Sequence, residues 1–455
     1  MSLELMSVLS AFTVGVMLTG VGRLQVACGG LFFSVFVLPV TLFGSTVIDR
    51  YRVGITGAEP QIATYTVVVL LVLLMALLLR GPSPDWATVM PFLVFMAVWS
   101  VLVWPHTGEV RAGVLHLGIA CLAWVAGTYV AKQMQVHPRG PRILLTWLLV
   151  IVALQAAVAI AQTQGVEVFP TAASVILEDD SLEGRAGATL GHPSSIGKMM
   201  FLVLLIVLPW LATDQRGLRR VALWIVLLAI IPLGLSGGRA NAVACVATVL
   251  LFVLLDPGRR RWSNRLQLFV LVLAGVFSTW NIWVRRFATG ENGEFRARFF
   301  QTAVDFLSDA PPWQGTGANT YVTAVGPTDQ MAAIGWVVHN VYLFAAVELG
   351  VLGAAIFFLP FVQAWVRGWA ARRRQGVAGA YGRVLVASAP GLLLITWTGW
   401  GMMARPLVPW MLVTGFAYTL ARGQNDDEEF GDLSVVPPVS AATASSTSVG
   451  GSVRS

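Results

Sequence analysis

The chain has 455 residues, of which 56% are hydrophobic and only 12% charged, and its net charge is +7. A soluble fold of that length would need roughly 25% charged residues to cover its surface. Lipid is therefore the solvent, and the modest basic excess, much of it in short loops, reads as membrane orientation rather than nucleic-acid binding.

A membrane span needs about 20 apolar residues to cross a hydrocarbon core of roughly 30 Å. Runs of that kind lie at 24–43, 62–79, 87–104, 112–131, 142–162, 197–213, 220–236, 240–256, 266–283, 337–365, 384–400 and 404–420. The stretch 4–22 is a further candidate: a separate span, half of a hairpin around Arg23, or a surface segment. Glu4 interrupts it and no basic region precedes it, so it does not read as a cleaved signal peptide. The expected fold is all-α and polytopic, with about twelve transmembrane helices. Residues 1–422 form the transmembrane domain. Residues 423–455, with the run Asp426-Asp427-Glu428-Glu429 and a Ser/Thr/Gly-rich end, read as a disordered tail. Cys28, Cys121 and Cys245 lie inside apolar runs, where cysteine is a small buried apolar residue, and they have no metal or disulfide spacing.

Lys and Arg in short loops set orientation. Four loops are strongly basic: Lys132, Arg139 and Arg142; Arg216, Arg219 and Arg220; Arg259, Arg260, Arg261 and Arg265; Arg367, Arg372, Arg373, Arg374 and Arg383. They fall two spans apart, so one orientation makes all four cytoplasmic, together with the C-terminal tail. Two long loops, 163–196 and 284–336, then lie on the other face. Loops of that length in a compact protein are usually functional.

The first long loop carries Glu178, Asp179, Asp180 and Glu183, then Arg185 in a glycine-rich stretch that would let backbone approach a ligand. Arg185 either pairs with those acids or faces a ligand, and His192 before Pro193 reads as a structural turn residue. Arg239 follows Ser236-Gly237-Gly238 in a very short connection, where it either snorkels to headgroups or clamps an anion at membrane depth. The second long loop holds Arg285, Arg286, Arg296 and Arg298. Its residues Phe299, Ala303, Phe306 and Leu307 share one helical face, which predicts a short amphipathic helix over 297–310, closed by Pro311-Pro312. Gly315-Thr316-Gly317 reads as a turn. His339 opens the next span, either as an interfacial polar group or as a proton acceptor suited to neutral pH. Glu348, about 2.5 turns further on, need not share its face. The chain shows no HExxH, Walker loop, paired Cys/His pattern or GxSxG, so no metal and no cofactor is expected. Arginines with one or two histidines suit a substrate bearing phosphate or diphosphate, because guanidinium forks pair with its oxygens.

These segments resemble the O-antigen ligase and polymerase superfamily of bacterial inner-membrane glycosyltransferases. Arg185 with Gly187 and His192-Pro193 looks like that family's Arg-x-Gly and His-Pro segment. Ser236 to Arg239 looks like its Ser-x-x-Arg, Arg296 through Pro311 and Gly315-x-Gly317 like its loop motif, and His339-Asn340-x-x-Leu343 like its His-Asn segment. Phe299 or Phe300 stands where the family's loop helix usually has Trp, which leaves the loop arginine open between Arg296 and Arg298, with Arg285 and Arg286 further candidates. The resemblance implies a glycan donor on undecaprenyl diphosphate, an acceptor hydroxyl on lipid A-core, and a site facing the periplasm. It implies His339 as general base, Arg185, Arg239 and a loop arginine on the diphosphate, no metal, and inversion at the anomeric carbon. A polymerase or a protein O-oligosaccharyltransferase of the same superfamily would share the donor, and a lipid-linked sugar transporter is the reading from another class.

Overall fold

The computed structural model describes residues 3–38, 41–43, 60–78, 82–166, 168–169, 184–256, 284, 293–309, 311–333, 335–399 and 406–423. The described chain is almost wholly helical. Its longer helices are α1 (Leu3–Thr19), α2 (Arg23–Phe36), α3 (Thr64–Leu78), α4 (Met90–Leu102), α5 (Gly108–Val136), α6 (Gly140–Thr163), α7 (Pro193–Leu211), α8 (Arg216–Leu235), α9 (Arg239–Leu255) and α10 (Gly293–Asp309). The short α11 (Tyr321–Val325) and α12 (Gln330–Ala333) follow, then α13 (Val341–Ala371), α14 (Gly376–Trp397) and α15 (Leu407–Arg422). A small antiparallel pair, Thr41–Phe43 with Ile62–Ala63, is the strand structure among the described residues.

Among the described residues six helices, α5, α6, α7, α8, α13 and α14, are long and apolar enough to cross a membrane, and five more apolar helices are shorter. The exposed surface of these helices is itself apolar. Leu70, Leu71, Leu74, Leu77 and Leu78 project from α3, Val94, Val98, Val101 and Leu102 from α4, and Trp224 from α8. Helices apolar on both faces belong in lipid. The chain is a helical membrane protein. Several helices end short of the expected spans. The run 24–43 stops as helix at Phe36, because Pro39 lacks an amide proton and disfavours helical backbone just before it. The expected span 266–283 lies outside the described residues, as does the tail beyond Gly423.

Helix α5 packs along α15, and close backbone approach sets the contact. A methyl group at Gly127 would collide with the Leu412 carbonyl, and Gly415 lies against Trp124. The alternation of helices gives the bundle two chemically different ends. At one end Lys132 donates to the Ser83 carbonyl at 2.8 Å. Arg422 pairs with Asp85 at 3.1 Å, Arg367 and Arg374 both donate to the Arg422 carbonyl, and Arg383 approaches Asp256 at 3.7 Å. The opposite end gathers the starts of α5, α7, α9 and α13, the ends of α6, α8 and α14, and the segment 293–340. The described parts of the other loops that the charge pattern separates fall at these two ends, and Arg259, Arg260, Arg261 and Arg265 lie outside the described residues.

Candidate functional site

Much of the site end is organised by polar side chains that hold backbone. Gln162 of α6 accepts from the Ala188 amide at 2.8 Å and donates back to the Ala188 carbonyl at 3.1 Å. One turn pair deeper, Gln155 accepts from the Thr189 amide at 3.1 Å and donates to its hydroxyl and to the Phe36 carbonyl, each at 2.6 Å. These bonds hold a tight 3-10 turn, Ala188–Leu190, in which Ala188 sits at φ +49°. Such backbone persists only where its surroundings over-determine it.

That turn delivers Arg185. Its Nε donates to the Ser236 carbonyl at 2.8 Å, and the Ala186 amide bonds the Leu235 carbonyl at 3.0 Å. The Arg185 segment is therefore stitched to the turn between α8 and α9, three residues before Arg239. The nearby acids 178–183 lie outside the described residues. His192 is the N-cap of α7: its Nδ1 accepts from the Ser194 amide at 3.1 Å. Asn241 reaches across to donate to the Ser194 carbonyl at 3.2 Å, so α7 and α9 start side by side.

Helix α10 lies over this end with Phe299 and Ala303 buried and Phe306 and Leu307 partly so, the face expected from the sequence. It begins a few residues earlier than expected. Residues two apart on a helix point about 200° away from each other, and the structure separates Arg296 from Arg298 accordingly. Arg296 lies near Arg239: desolvation and the Arg239 charge both push its guanidinium below the ordinary arginine pKa. Arg298 instead closes on Asp329, a buried carboxylate that also accepts from the Met331 amide at 2.7 Å and the Thr302 hydroxyl at 3.1 Å. Burial works against Asp329 ionising, but these hydrogen bonds and the Arg298 charge outweigh it and hold the carboxyl below its usual range. Arg285 and Arg286 lie outside the described residues.

His339 faces α10. Its ring stacks on Phe299 at 6.0 Å between centroids and on Trp336 at 6.4 Å. Its Nδ1 lies 3.1 Å from the Val337 carbonyl. A carbonyl only accepts, so the hydrogen is on Nδ1 and Nε2 carries the lone pair. Burial, then the charges of Arg296 and Lys198, push the His339 pKa down to about 4, against the opposing bond to Val337. The imidazole is thus neutral at physiological pH. Asn340 sets the ring's position by capping α13, its Oδ1 accepting from Tyr342 and Leu343 at 3.0 and 3.1 Å.

The Gly315-Thr316-Gly317 turn has a specific seat. Helix α13 is broken at Gly350, where φ is +73° and ψ 167°. The freed backbone groups are taken up by the incoming loop: Val351 N to Pro312 O at 2.8 Å, Thr316 N to Val347 O and Gly317 N to Glu348 O, each at 2.9 Å. The buried Glu348 carboxylate then accepts from the Asn319 and Tyr321 amides at 3.0 and 3.1 Å, capping the entry to α11. Glu348 therefore shapes the loop that carries α10 and His339 rather than lining the site with His339.

The structure brings Arg185, Arg239, Arg296 and His339 to one end of the bundle, adds Lys198 to them, and commits Arg298 to Asp329. An open cleft lined by Thr19, Gln25, Arg139, Arg142 and Thr146 lies at the other end and is separate from this group. Among the described residues no cluster of three His, Cys, Asp or Glu could hold a metal ion. No protein-family model matches the chain, and no curated protein matches it.

Proposed function

We propose that the protein is a lipid-linked glycan transferase of the O-antigen ligase kind. It would move a glycan from undecaprenyl diphosphate to a sugar hydroxyl of lipid A-core, without a metal. The observation that carries this reading is the grouping of Arg239, Arg296 and a neutral, lone-pair-bearing His339, with Arg185 bonded into the turn before Arg239. A diphosphate leaving group needs charge neutralisation more than protonation, which guanidinium forks supply. The acceptor hydroxyl needs a base within reach, which His339 Nε2 supplies.

In this reading the acceptor oxygen attacks the anomeric carbon from the face opposite the diphosphate, and its proton passes to His339 Nε2. The bond from the anomeric carbon to the diphosphate oxygen breaks, its electron pair leaves with undecaprenyl diphosphate, and the configuration inverts. Helix α10 covers the site as a lid that excludes water.

The shorter apolar helices α2, α3, α4 and α9, with α15 and the run 266–283, complete about twelve spans, and α1 is a further candidate. The basic end, with Lys132, Arg367, Arg374, Arg383 and Arg422, faces the cytoplasm by the positive-inside rule, and the site faces the periplasm of the bacterial inner membrane.

The test is transfer in vitro with purified protein, lipid-linked glycan and lipid A-core. Glycosylated lipid A-core is the expected product. Extension of the lipid-linked glycan would make the protein a polymerase, modification of an added protein acceptor an oligosaccharyltransferase. Glycan moved across a vesicle with no new bond would make it a transporter.

A further inference from the structure

Of the thirty basic side chains only two are lysines, Lys132 and Lys198. Lys132 serves the basic end by donating to the Ser83 carbonyl. Lys198 is placed quite differently. It sits in the second turn of α7, a helix apolar enough to cross a membrane, between Gly197 and Met199, which are both buried. The side chain is half-buried, and among the described residues it makes no hydrogen bond and no ion pair. Its ammonium lies at the turn after α14, where a methyl group on Gly399 would stand 3.9 Å from Nζ. It is also near enough to His339 for its charge to oppose imidazole protonation, as that of Arg296 does. The amine therefore lies beside Gly399 and within electrostatic reach of His339, on which Arg296 also acts.

An ammonium held in a membrane helix without a counter-ion is costly unless an anion occupies the space beside it. A headgroup outside the bundle would draw a lysine outward by snorkelling, yet this one is turned toward His339 and the α14 turn. We propose that Lys198 is a ligand of the donor's diphosphate, a compact point charge on a phosphoryl oxygen beside the arginine forks. This rests on the proposed reading of the site as a diphosphate-binding transferase. Lysine suits the inner position because its three donors rotate freely about one charge, whereas guanidinium demands a planar approach.

The test is binding of farnesyl diphosphate to the full chain in phosphatidylcholine nanodiscs, with farnesol as the uncharged control. Lys198→Gln should weaken farnesyl diphosphate roughly ten- to hundredfold, the worth of a charge-assisted hydrogen bond, leave farnesol unchanged, and be only partly rescued by Lys198→Arg, which restores the charge but not the compact ammonium. Wild-type affinity in Lys198→Gln, with Arg296→Gln weakened, would overturn this inference and leave the parent reading standing. Equal binding of farnesyl diphosphate and farnesol by the wild type would overturn both. A second measurement needs no variant: acylation of amines in the wild-type protein, read by peptide mass spectrometry with Lys132 as reference. Farnesyl diphosphate should protect Lys198 and not Lys132. Equal labelling with and without it, or protection by phosphatidylglycerol alone, would overturn the assignment, the latter by making Lys198 a headgroup anchor.

Discussion

Arg298 closes on Asp329 through two hydrogen bonds, Nε to Oδ2 at 3.1 Å and a terminal nitrogen to Oδ1 at 3.2 Å. The pair ties α10 to the turn before α12, and it engages the fork that would otherwise grip a diphosphate. Arg296, on the other side of the same helix, is the loop arginine left facing Arg239.

The two arginines should therefore fail in different ways. Arg296→Gln should weaken binding of a lipid diphosphate roughly ten- to hundredfold, as expected for loss of a charge-assisted bond, and Arg296→Lys should not fully restore it. Arg298→Gln should leave that affinity nearly intact while hydrogen exchange across 293–309 speeds up. Equal affinity losses in the two glutamine variants would contradict the division.

The pH dependence follows from His339, whose pKa is lowered to about 4 in the free protein. Only the neutral ring accepts a proton, so kcat/KM should stay flat as pH falls through the ordinary histidine range near 6.5 and drop only as pH approaches 4. A bound diphosphate opposes the charges of Arg296 and Lys198, so the acid limb of kcat should lie at higher pH than that of kcat/KM. Arg296→Gln should shift the kcat/KM limb upward. A kcat/KM limb at 6.5 in the wild type would mean that His339 is not held neutral by its surroundings.

The seat of the loop on α13 depends on two glycines. Gly350 has φ +73° and Gly315 φ +67°, and a methyl group on either would collide with the backbone of the other's segment. Gly350→Ala or Gly315→Ala should each cost more than the ~1–3 kcal/mol of left-handed strain alone. The expected outcome is a lower melting temperature in detergent and faster hydrogen exchange over 311–325. A variant that melts with the wild type would show that the loop is not wedged into the helix break.

Much of the site is legible in the sequence because ionisable residues stand out in apolar runs. Arg239 and His339 each open a span, and the spacing of Phe299, Ala303, Phe306 and Leu307 by itself marks the buried face of α10. The rest depends on contacts between distant segments. Nothing local distinguishes Arg296 from Arg298 until Asp329, 31 residues further on, chooses one of them. Glu348 reads as an isolated acid because its partners are amide protons of a loop 27 to 29 residues earlier. Lys198 belongs to no motif. Its one signal is that a chain otherwise built on arginine places a lysine inside an apolar run. The helix break at Gly350 lies inside the apolar run 337–365, in which Glu348 is the one acid, so periodicity alone extends the helix through it.

Transfer should persist in excess EDTA if, as proposed, arginines neutralise the leaving group in place of a divalent ion. Activity lost to chelator and restored by magnesium or manganese would contradict this, and would turn attention to Glu291, Glu294 and Asp305 of the second long loop.

The most direct measurement is single-turnover transfer by His339→Gln alongside binding of the lipid-linked donor to the same preparation. Donor affinity should stay close to wild type while the rate falls by roughly 10²–10⁴-fold, the usual worth of a positioned general base. Glutamine keeps hydrogen bonding and loses basicity, so near wild-type turnover would contradict the account and leave His339 as a residue that only orients substrate or ends a helix.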